Sequence, residues 1–201
     1  MTMRVAVAAS GRGSNLEALL RTLGPGAPAR VVLVLSDRAA AGALTLARSH
    51  GVPTQAFADP ASPDEWLAAL DRAQADLVVL AGYLKLVPAG VIERYRGRIV
   101  NIHPALLPAF GGRGMYGRRV HEAVLASGAR ESGASVHLVD EVYDRGEVLA
   151  RARVPVLPDD DPDRLAARVL EVEHRLLPAV VLAAARAGRP VPIPEPVESH
   201  P

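Results

Sequence analysis

The chain of 201 residues contains no cysteine, and this absence narrows the chemistry that it can carry. Without cysteine there can be no disulfide, no thiolate nucleophile and no zinc site built on thiolates. The histidines at positions 50, 121, 174 and 200 also lack metal-ligand spacing with one another, and we expect no metal site. The absence of cysteine also gives no support to the interpretation of the chain as a secreted, disulfide-stabilised protein.

An excess of one charge and long apolar runs are missing as well. The formal net charge is +1, which gives no electrostatic reason to expect a nucleic-acid partner. No apolar run approaches the roughly 18 residues that cross a membrane. Residues 1–4 lead directly into a strand pattern, without the charged and then apolar segment of a secretory signal. We therefore expect a cytoplasmic protein with no membrane partner.

Short apolar strand patterns alternate with helical patterns along the first half of the chain. Strands are predicted over residues 4–9, 31–35, 53–57, 76–81 and 98–102, and helices over 15–23, 39–50 and 63–74. Ser62 is the expected N-cap of the third helix, with Pro63 in its first turn. Continuously apolar strands joined by helices are typical of a parallel sheet covered on both faces.

The pattern changes in the second half. A helix over 120–127 precedes two strands, 135–139 and 147–156, which a polar turn separates, and these strands favour an antiparallel addition to the sheet. A long helix follows over 163–187, with a break expected near Pro178. We predict one domain over residues 1–188. A proline-rich tail over 189–201 should be extended and weakly ordered.

The first chemistry-bearing segment is Ser10 to Asn15, between the first strand and the first helix. Its glycines allow a ligand to approach the backbone closely, and the helix N-terminus offers N–H groups to an anion. It is not a Walker loop, because no Gly-Lys-Ser/Thr sequence follows. Nor is it the dinucleotide fingerprint, because Leu16 stands where the third glycine of that fingerprint would be. A phosphate site and a tight turn capped by Ser14 both remain open.

The second segment ends the strand over 98–102. Side chains two residues apart share one face of a strand, so Asn101 and His103 should project together, and Pro104 stops the ladder beyond them. An amide donor beside an imidazole suits acyl chemistry, and ligands bind at the carboxyl ends of strands in open α/β sheets. Alternatively, Asn101 caps its own turn and His103 is a core histidine.

Three further places have both a functional and a structural interpretation. Asp144 is either a turn residue or a partner that raises the pKa of His103 and holds it as an acid near neutral pH. Ser135 and His137 share one strand face, which could equally be a solvent-facing edge. Glu173, beside a histidine, could be surface charge.

Taken in order, these segments make the chain resemble the phosphoribosylglycinamide formyltransferases, over roughly residues 3–190. The matching pieces are 11–15, 78–83, 101–108, 133–137, Asp144 with Gly146, and Glu173 with His174. The resemblance implies formyl transfer from 10-formyltetrahydrofolate to the amine of N1-(5-phosphoribosyl)glycinamide, in purine biosynthesis. It also implies an α/β, Rossmann-like formyltransferase fold, whose mostly parallel twisted sheet is flanked by helices and extended by antiparallel C-terminal strands.

The resemblance also implies the site residues. The catalytic residues would be Asn101, His103 and Asp144. The residues for the ribonucleotide phosphate and glycinamide would be Gly11, Arg12, Gly13, Ser14, Asn15 and Glu173. The folate-binding residues would be Leu84, Lys85, Leu86, Val87, Asn101, Asp140, Glu141, Val142, Tyr143 and Asp144, with Ser135 and His137 in support. The formyl-folate is a co-substrate, no metal is required, and the protein would be a monomer or homodimer.

The chain departs from the family pattern at two places. Residues 110–118 are longer and richer in glycine than in many members, and Pro63 stands near where some members have an arginine for the folate glutamate tail. Other functions remain as alternatives. A methionyl-tRNA formyltransferase would carry a further C-terminal domain. A formyl-folate hydrolase would carry an N-terminal regulatory domain. A non-catalytic phosphate-binding module would leave Asn101, His103 and Asp144 as coincidence.

Overall fold

The alternating pattern folds into a seven-stranded sheet with helices on both faces. A computed structural model describes residues 2–194. The strands are β1 (Met3–Ala8), β2 (Ala29–Ser36), β3 (Thr54–Ala56), β4 (Leu77–Leu80), β5 (Ile99–His103), β6 (Glu131–Leu138) and β7 (Val148–Pro155). The helices are α1 (Ser14–Thr22), α2 (Gly42–Ser49), α3 (Pro63–Arg72), α4 (Ala89–Arg94), α5 (Arg118–Ala126) and α6 (Pro162–Ala187).

The strand order across the sheet is β3-β2-β1-β4-β5-β6-β7. The first five strands in this order pair in parallel, and β6 and β7 add antiparallel pairings, so the predicted architecture is confirmed. The chain winds outward from β1 to β3 and then returns to β4, beside β1. In open α/β sheets, ligands bind beyond the carboxyl ends of the strands where the order reverses in this way.

Strand β1 shows how the sheet is buried on both faces. Val5 and Val7 pack on the face covered by α1, α2, α5 and α6, whereas Ala6 and Ala8 pack on the face covered by α3 and α4. All four side chains have no exposed surface. A strand buried on both faces reads as a continuous apolar run, which is why this sequence predicts its position well.

Two helices differ from the expectation. Helix α4 is absent from the sequence prediction because it has only six residues, of which Val91 and Ile92 are buried. Helix α6 continues through Pro178, where the sequence indicated a break. Proline removes one backbone hydrogen bond there, but Leu176 and Leu177 pack into the core beside it and hold the helix together.

The proline-rich tail is described as far as Pro194. The Ile193 N–H donates to the Leu149 carbonyl of β7 at 2.9 Å, so this part of the tail lies against the edge of the sheet. Residues 195–201 of the predicted tail lie outside the described residues. Within residues 2–194, every helix is too short or too polar to span a bilayer.

Candidate active site

The loops that follow β1 and β4, together with the end of β5, line one cavity of about 850 Å³. Ser10 fixes two of these loops to each other. Its N–H donates to the Gly82 carbonyl, and its Oγ accepts from the Leu84 N–H, both at 3.0 Å. The predicted phosphate loop and the predicted folate loop therefore form one continuous rim.

Most of the predicted site residues meet at this cavity. Those that line it are Arg12, Asn15, Leu84, Lys85, Leu86, Val87, Asn101, His103, His137, Asp140, Val142, Tyr143, Asp144 and Glu173. Those that lie behind or beside its wall are Gly11, Gly13, Ser14, Ser135 and Glu141.

The predicted phosphate loop packs tightly against the start of α2. Gly13 has φ of 92°, and a Cβ there would lie 2.9 Å from Cα of Ala43, so only glycine fits without displacement. The Gly11 carbonyl accepts from the Ala43 N–H at 3.0 Å. The interpretation of Ser14 as a cap is wrong, because the N-cap residue is Gly13, which has no side chain. The first N–H groups of α1 thus remain open to an anion.

Glu173 joins this loop to helix α6. The Asn15 Nδ2 donates to Glu173 Oε2 at 2.7 Å, and both side chains are buried. Burial raises the pKa of Glu173, and the hydrogen bond from Asn15 only partly opposes that increase. The interpretation of Glu173 as surface charge is therefore wrong.

The antiparallel pairing of β5 with β6 assembles the centre of the site. Asn101 lies opposite His137, and His103 lies opposite Ser135. Residues directly opposite in an antiparallel pair share a face and touch. As a result, Asn101 Nδ2 lies 3.0 Å from His137 Nε2. Ser135 and His137 are 0% and 2% exposed, so the alternative of a solvent-facing edge is wrong.

Asp144 folds back onto this centre from the loop between β6 and β7. Its Oδ2 lies 3.7 Å from His103 Nδ1, and its Oδ1 lies 3.3 Å from His137 Nε2. Oδ1 also accepts from Asn101 Nδ2 at 3.4 Å. Asp144 has φ of 55°, a left-handed conformation that aspartate tolerates better than most residues. One carboxylate therefore faces all three of the other polar side chains.

The pKa of His103 does not follow the sequence prediction. Burial lowers it below 6.5 and outweighs the opposing effects of Asp144 and of the Phe110 carbonyl. Asp144 thus raises the His103 pKa as predicted, but burial lowers that pKa by more. Burial alone would raise the pKa of Asp144, but His137, His103 and the Gly112 N–H together lower it below its usual value. The resting pair is accordingly a neutral imidazole beside a carboxylate.

A segment that sequence analysis did not assign completes the site. The Phe110 carbonyl lies 2.8 Å from His103 Nε2, and because a carbonyl only accepts, that nitrogen carries the hydrogen. The Gly112 N–H donates to Asp144 Oδ2 at 2.9 Å. A Cβ on Gly111 would lie 2.5 Å from a Leu107 methyl carbon, so glycine permits this approach. The glycine-rich composition of 110–118 was the available signal.

Ser135 supports the site from below. Its Oγ donates to the Ala105 carbonyl at 2.7 Å and accepts from the Leu107 N–H at 3.0 Å. These two bonds hold the loop that follows His103. His121, which was not among the predicted site residues, also lines the cavity. Burial, and to a smaller extent His103, lowers its pKa.

The two predicted folate loops form an apolar rim. Leu84, Leu86 and Val142 are large apolar side chains that remain 36%, 50% and 58% exposed there. Glu141 points away and pairs with Arg96 at 2.8 Å. Across the described part of the chain, no three acidic or histidine side chains are grouped to hold a metal ion.

Comparisons with known proteins agree on one family. The family described as formyl transferase matches residues 3–181. The chain is 45% identical over 186 residues to the chloroplastic phosphoribosylglycinamide formyltransferase of Arabidopsis thaliana, covering 89% of this chain and 64% of that protein. It is 44% identical over 191 residues to the phosphoribosylglycinamide formyltransferase of Mycobacterium tuberculosis, covering 92% and 86%.

A solved structure shows the same likeness in three dimensions. The crystal structure of phosphoribosylglycinamide formyltransferase from Brucella melitensis matches with a TM-score of 0.83 and 45% identity, covering 92% of this chain and 96% of that one. The chain spans less than two thirds of the length of the plant relatives, 64% and 60%.

Proposed function

Because the chain belongs to the formyl transferase family, we propose that it transfers a formyl group from 10-formyltetrahydrofolate to the amine of N1-(5-phosphoribosyl)glycinamide. One observation carries the proposal: Asn101, His103 and Asp144 meet in a cavity whose wall also includes Asn15 and Glu173. A site for a polar acyl reaction and a site for a phosphorylated amine are thus continuous.

Each part of the cavity has a proposed occupant. The N-terminus of α1, with Arg12 and Asn15, would bind the phosphate, and Glu173 would bind near the glycinamide amine. The loops 84–87 and 140–144 would bind the folate, whose flat apolar rings suit exposed leucine and valine side chains.

The reaction needs a group that stabilises a developing negative charge. The substrate amine attacks the formyl carbon, a new C–N bond forms, and the carbonyl electron pair moves onto oxygen. The Asn101 amide and the His103 Nε2–H would donate to that oxygen. When the tetrahedral centre collapses, the bond from the formyl carbon to folate N10 breaks and N10 takes a proton. One donor of this kind typically contributes about 10²–10³ in rate.

Asp144 would handle the remaining proton. The attacking amine must lose a proton and folate N10 must gain one. Asp144, which its lowered pKa keeps ionised, would relay that proton through water. In the reacting complex, the formyl oxygen would replace the Phe110 carbonyl as the acceptor for His103 Nε2. The segment 110–112 would therefore shift when both substrates bind.

Three wider predictions accompany this function. Residues 1–188 would act as one formyltransferase domain, and the protein would be a monomer or homodimer in the cytoplasm. Light scattering of the purified protein tests the oligomeric state, and fractionation of the source cells tests the compartment. A fragment ending at residue 188 tests the first, since it should retain formyl transfer.

The decisive experiment is an absorbance assay for the deformylated folate, with and without glycinamide ribonucleotide. We expect product only when this acceptor is present. Product without the acceptor would indicate a hydrolase, and nucleotide binding that formyl-folate does not affect would indicate a binding module. His103→Ala should reduce turnover by about 10²–10⁴. A folded His103→Ala protein with unchanged turnover would contradict the mechanism.

A further inference from the structure

The side-chain amide of Asn101 is held in an orientation that does not suit its proposed task. Its Nδ2 lies 3.0 Å from His137 Nε2 and 3.4 Å from Asp144 Oδ1, so both amide hydrogens are directed at these two neighbours. No partner for the Asn101 Oδ1 is found among residues 2–194, and Asn101 lines the cavity. In this orientation, the Asn101 Oδ1, which can only accept a hydrogen bond, faces the cavity. The developing negative charge on the formyl oxygen needs a donor there instead.

The backbone fixes the ring of His137. His137 Nδ1 lies 2.7 Å from the Leu138 carbonyl, and because a carbonyl only accepts, Nδ1 carries a hydrogen. When the imidazole is neutral, Nε2 therefore has a lone pair. That lone pair suits the Asn101 amide hydrogens but faces the Asp144 Oδ1 at 3.3 Å, which is an unfavourable contact between two acceptors.

Protonation of His137 makes its contact with Asp144 favourable and its contact with the Asn101 amide hydrogens unfavourable. The new Nε2–H donates to Asp144 Oδ1 in a charge-assisted bond, and it repels the Asn101 amide hydrogens. Rotation of that amide by 180° gives up its 3.4 Å bond to Asp144, places Oδ1 against the His137 Nε2–H, and directs the NH₂ group into the cavity. Within residues 2–194, the titratable groups that interact with His137 are Asp144 and His103, and Asp144 favours the cation while His103 opposes it when charged.

We propose that His137 is a positioning residue that sets which end of the Asn101 amide faces the cavity. In its protonated form it releases the amide hydrogens to the formyl oxygen, and in its neutral form it withholds them. The inference rests on the proposed function, because it assigns the Asn101 NH₂ group to the oxygen of the transferred formyl group.

The test is a double-mutant cycle on formyl transfer with His137→Leu and Asn101→Ala. Each single variant should lower kcat by about 10²–10³, the value of one oxyanion donor, with KM for both substrates within about threefold. The double variant should be no slower than the slower single variant, because both changes remove the same donor. His50→Leu, at an exposed histidine far from the cavity, is the control.

His137→Gln provides a second measurement, which remains possible if His137→Leu does not fold. Its amide can donate to Asp144 and to Asn101 Oδ1 at every pH, so kcat should stay within about tenfold of the natural protein. The natural protein should lose kcat with rising pH, and His137→Gln should lack that decrease.

The possible failures are distinguishable. Independent effects of the two single changes, multiplying in the double variant, would overturn the positioning role, as would a glutamine variant as slow as His137→Leu. If the natural protein shows no transfer that depends on the acceptor, the proposed function itself fails, and the inference fails with it.

Discussion

At the scale of single residues, the cavity keeps a carboxylate where water barely reaches it. Glu173 is 7% exposed, and its one hydrogen-bond partner among the described residues is Asn15. Because burial raises its pKa, the folded state holds this proton to higher pH than the unfolded chain. The free energy of unfolding therefore decreases as pH rises from about 4.5 through the folded-state pKa, and it stays reduced at neutral pH.

Replacing Glu173 with glutamine should stabilise the protein and impair binding. The amide keeps an acceptor for Asn15 and removes the buried charge, so we expect about 1 kcal/mol of added stability at pH 7 to 8. Affinity for glycinamide ribonucleotide should decrease. Urea denaturation and isothermal titration measure the two effects, and Glu171→Gln, at an exposed position two residues earlier, is the control. A destabilised Glu173→Gln protein would contradict this account.

Asp144→Asn should shift the titration of His103 further downward. The carboxylate is the main group that raises the pKa of His103 against burial, so its loss leaves burial less opposed. Histidine NMR titration measures the shift, and Asp159→Asn, at an exposed aspartate that does not line the cavity, should leave the His103 pKa unchanged. An increased His103 pKa in Asp144→Asn would contradict the electrostatic role.

Sequence periodicity predicted the shared face of Asn101 and His103, because strand geometry alone dictates it. It could not predict the direction of the His103 pKa. That direction depends on how deeply the imidazole is buried, and the segment 110–112 contributes to its burial through a contact distant from any strand pattern. Local rules predict where a side chain points, whereas tertiary packing determines its protonation.

At the scale of elements, the loop between β6 and β7 is held close to β6 by Gly146. A Cβ at this position would clash with the carbonyl oxygen of Leu138, the same carbonyl that accepts from His137 Nδ1. The loop therefore brings Asp144 to the site only where residue 146 has no side chain.

Gly146→Ala should disturb the site through the backbone. The added methyl group displaces either the Leu138 carbonyl or the loop, so His137 loses its acceptor or Asp144 moves away. We expect at least a tenfold decrease in kcat and a loss of about 1–3 kcal/mol in stability. Gly24→Ala, where nothing lies within 4 Å of the added Cβ, should change neither quantity. Stopped-flow assay and thermal unfolding provide the measurements, and normal activity in Gly146→Ala would exclude this constraint.

The register of β6 against β5 could not be predicted from the sequence. The pattern indicated an antiparallel addition, but a slip of one residue would turn His137 away from Asn101 and bury the opposite set of side chains. The register is determined by packing, since Val136 and Ala134 must reach the core beneath α6. This packing also places His137 opposite Asn101.

At the scale of the whole molecule, the alternation of strands and helices predicted a two-faced parallel sheet, because each element must bury an apolar surface. The reversal of strand order between β1 and β4 has no such local signal, yet it places the loops after both strands beside each other. The sequence also shows nothing about how the free edge of β7 is covered.

The tail covers that edge with alternating prolines. Pro190, Pro192 and Pro194 have no N–H, whereas Ile193 between them donates to the Leu149 carbonyl of β7. In an extended segment, the N–H groups of residues two apart point the same way. The nitrogens on the outward side therefore all belong to proline, and a further strand finds no donors there.

Ile193→Pro should expose the edge of β7. The substitution removes both the N–H that donates to Leu149 and the side chain that packs on the core, so about 1–2 kcal/mol of stability should be lost. Association should increase with concentration, because an uncovered edge strand pairs with another copy. Ile193→Ala keeps the N–H, so light scattering across a concentration series should show less association for it than for Ile193→Pro. Equal association of the two variants would mean that the hydrogen bond does not protect the edge.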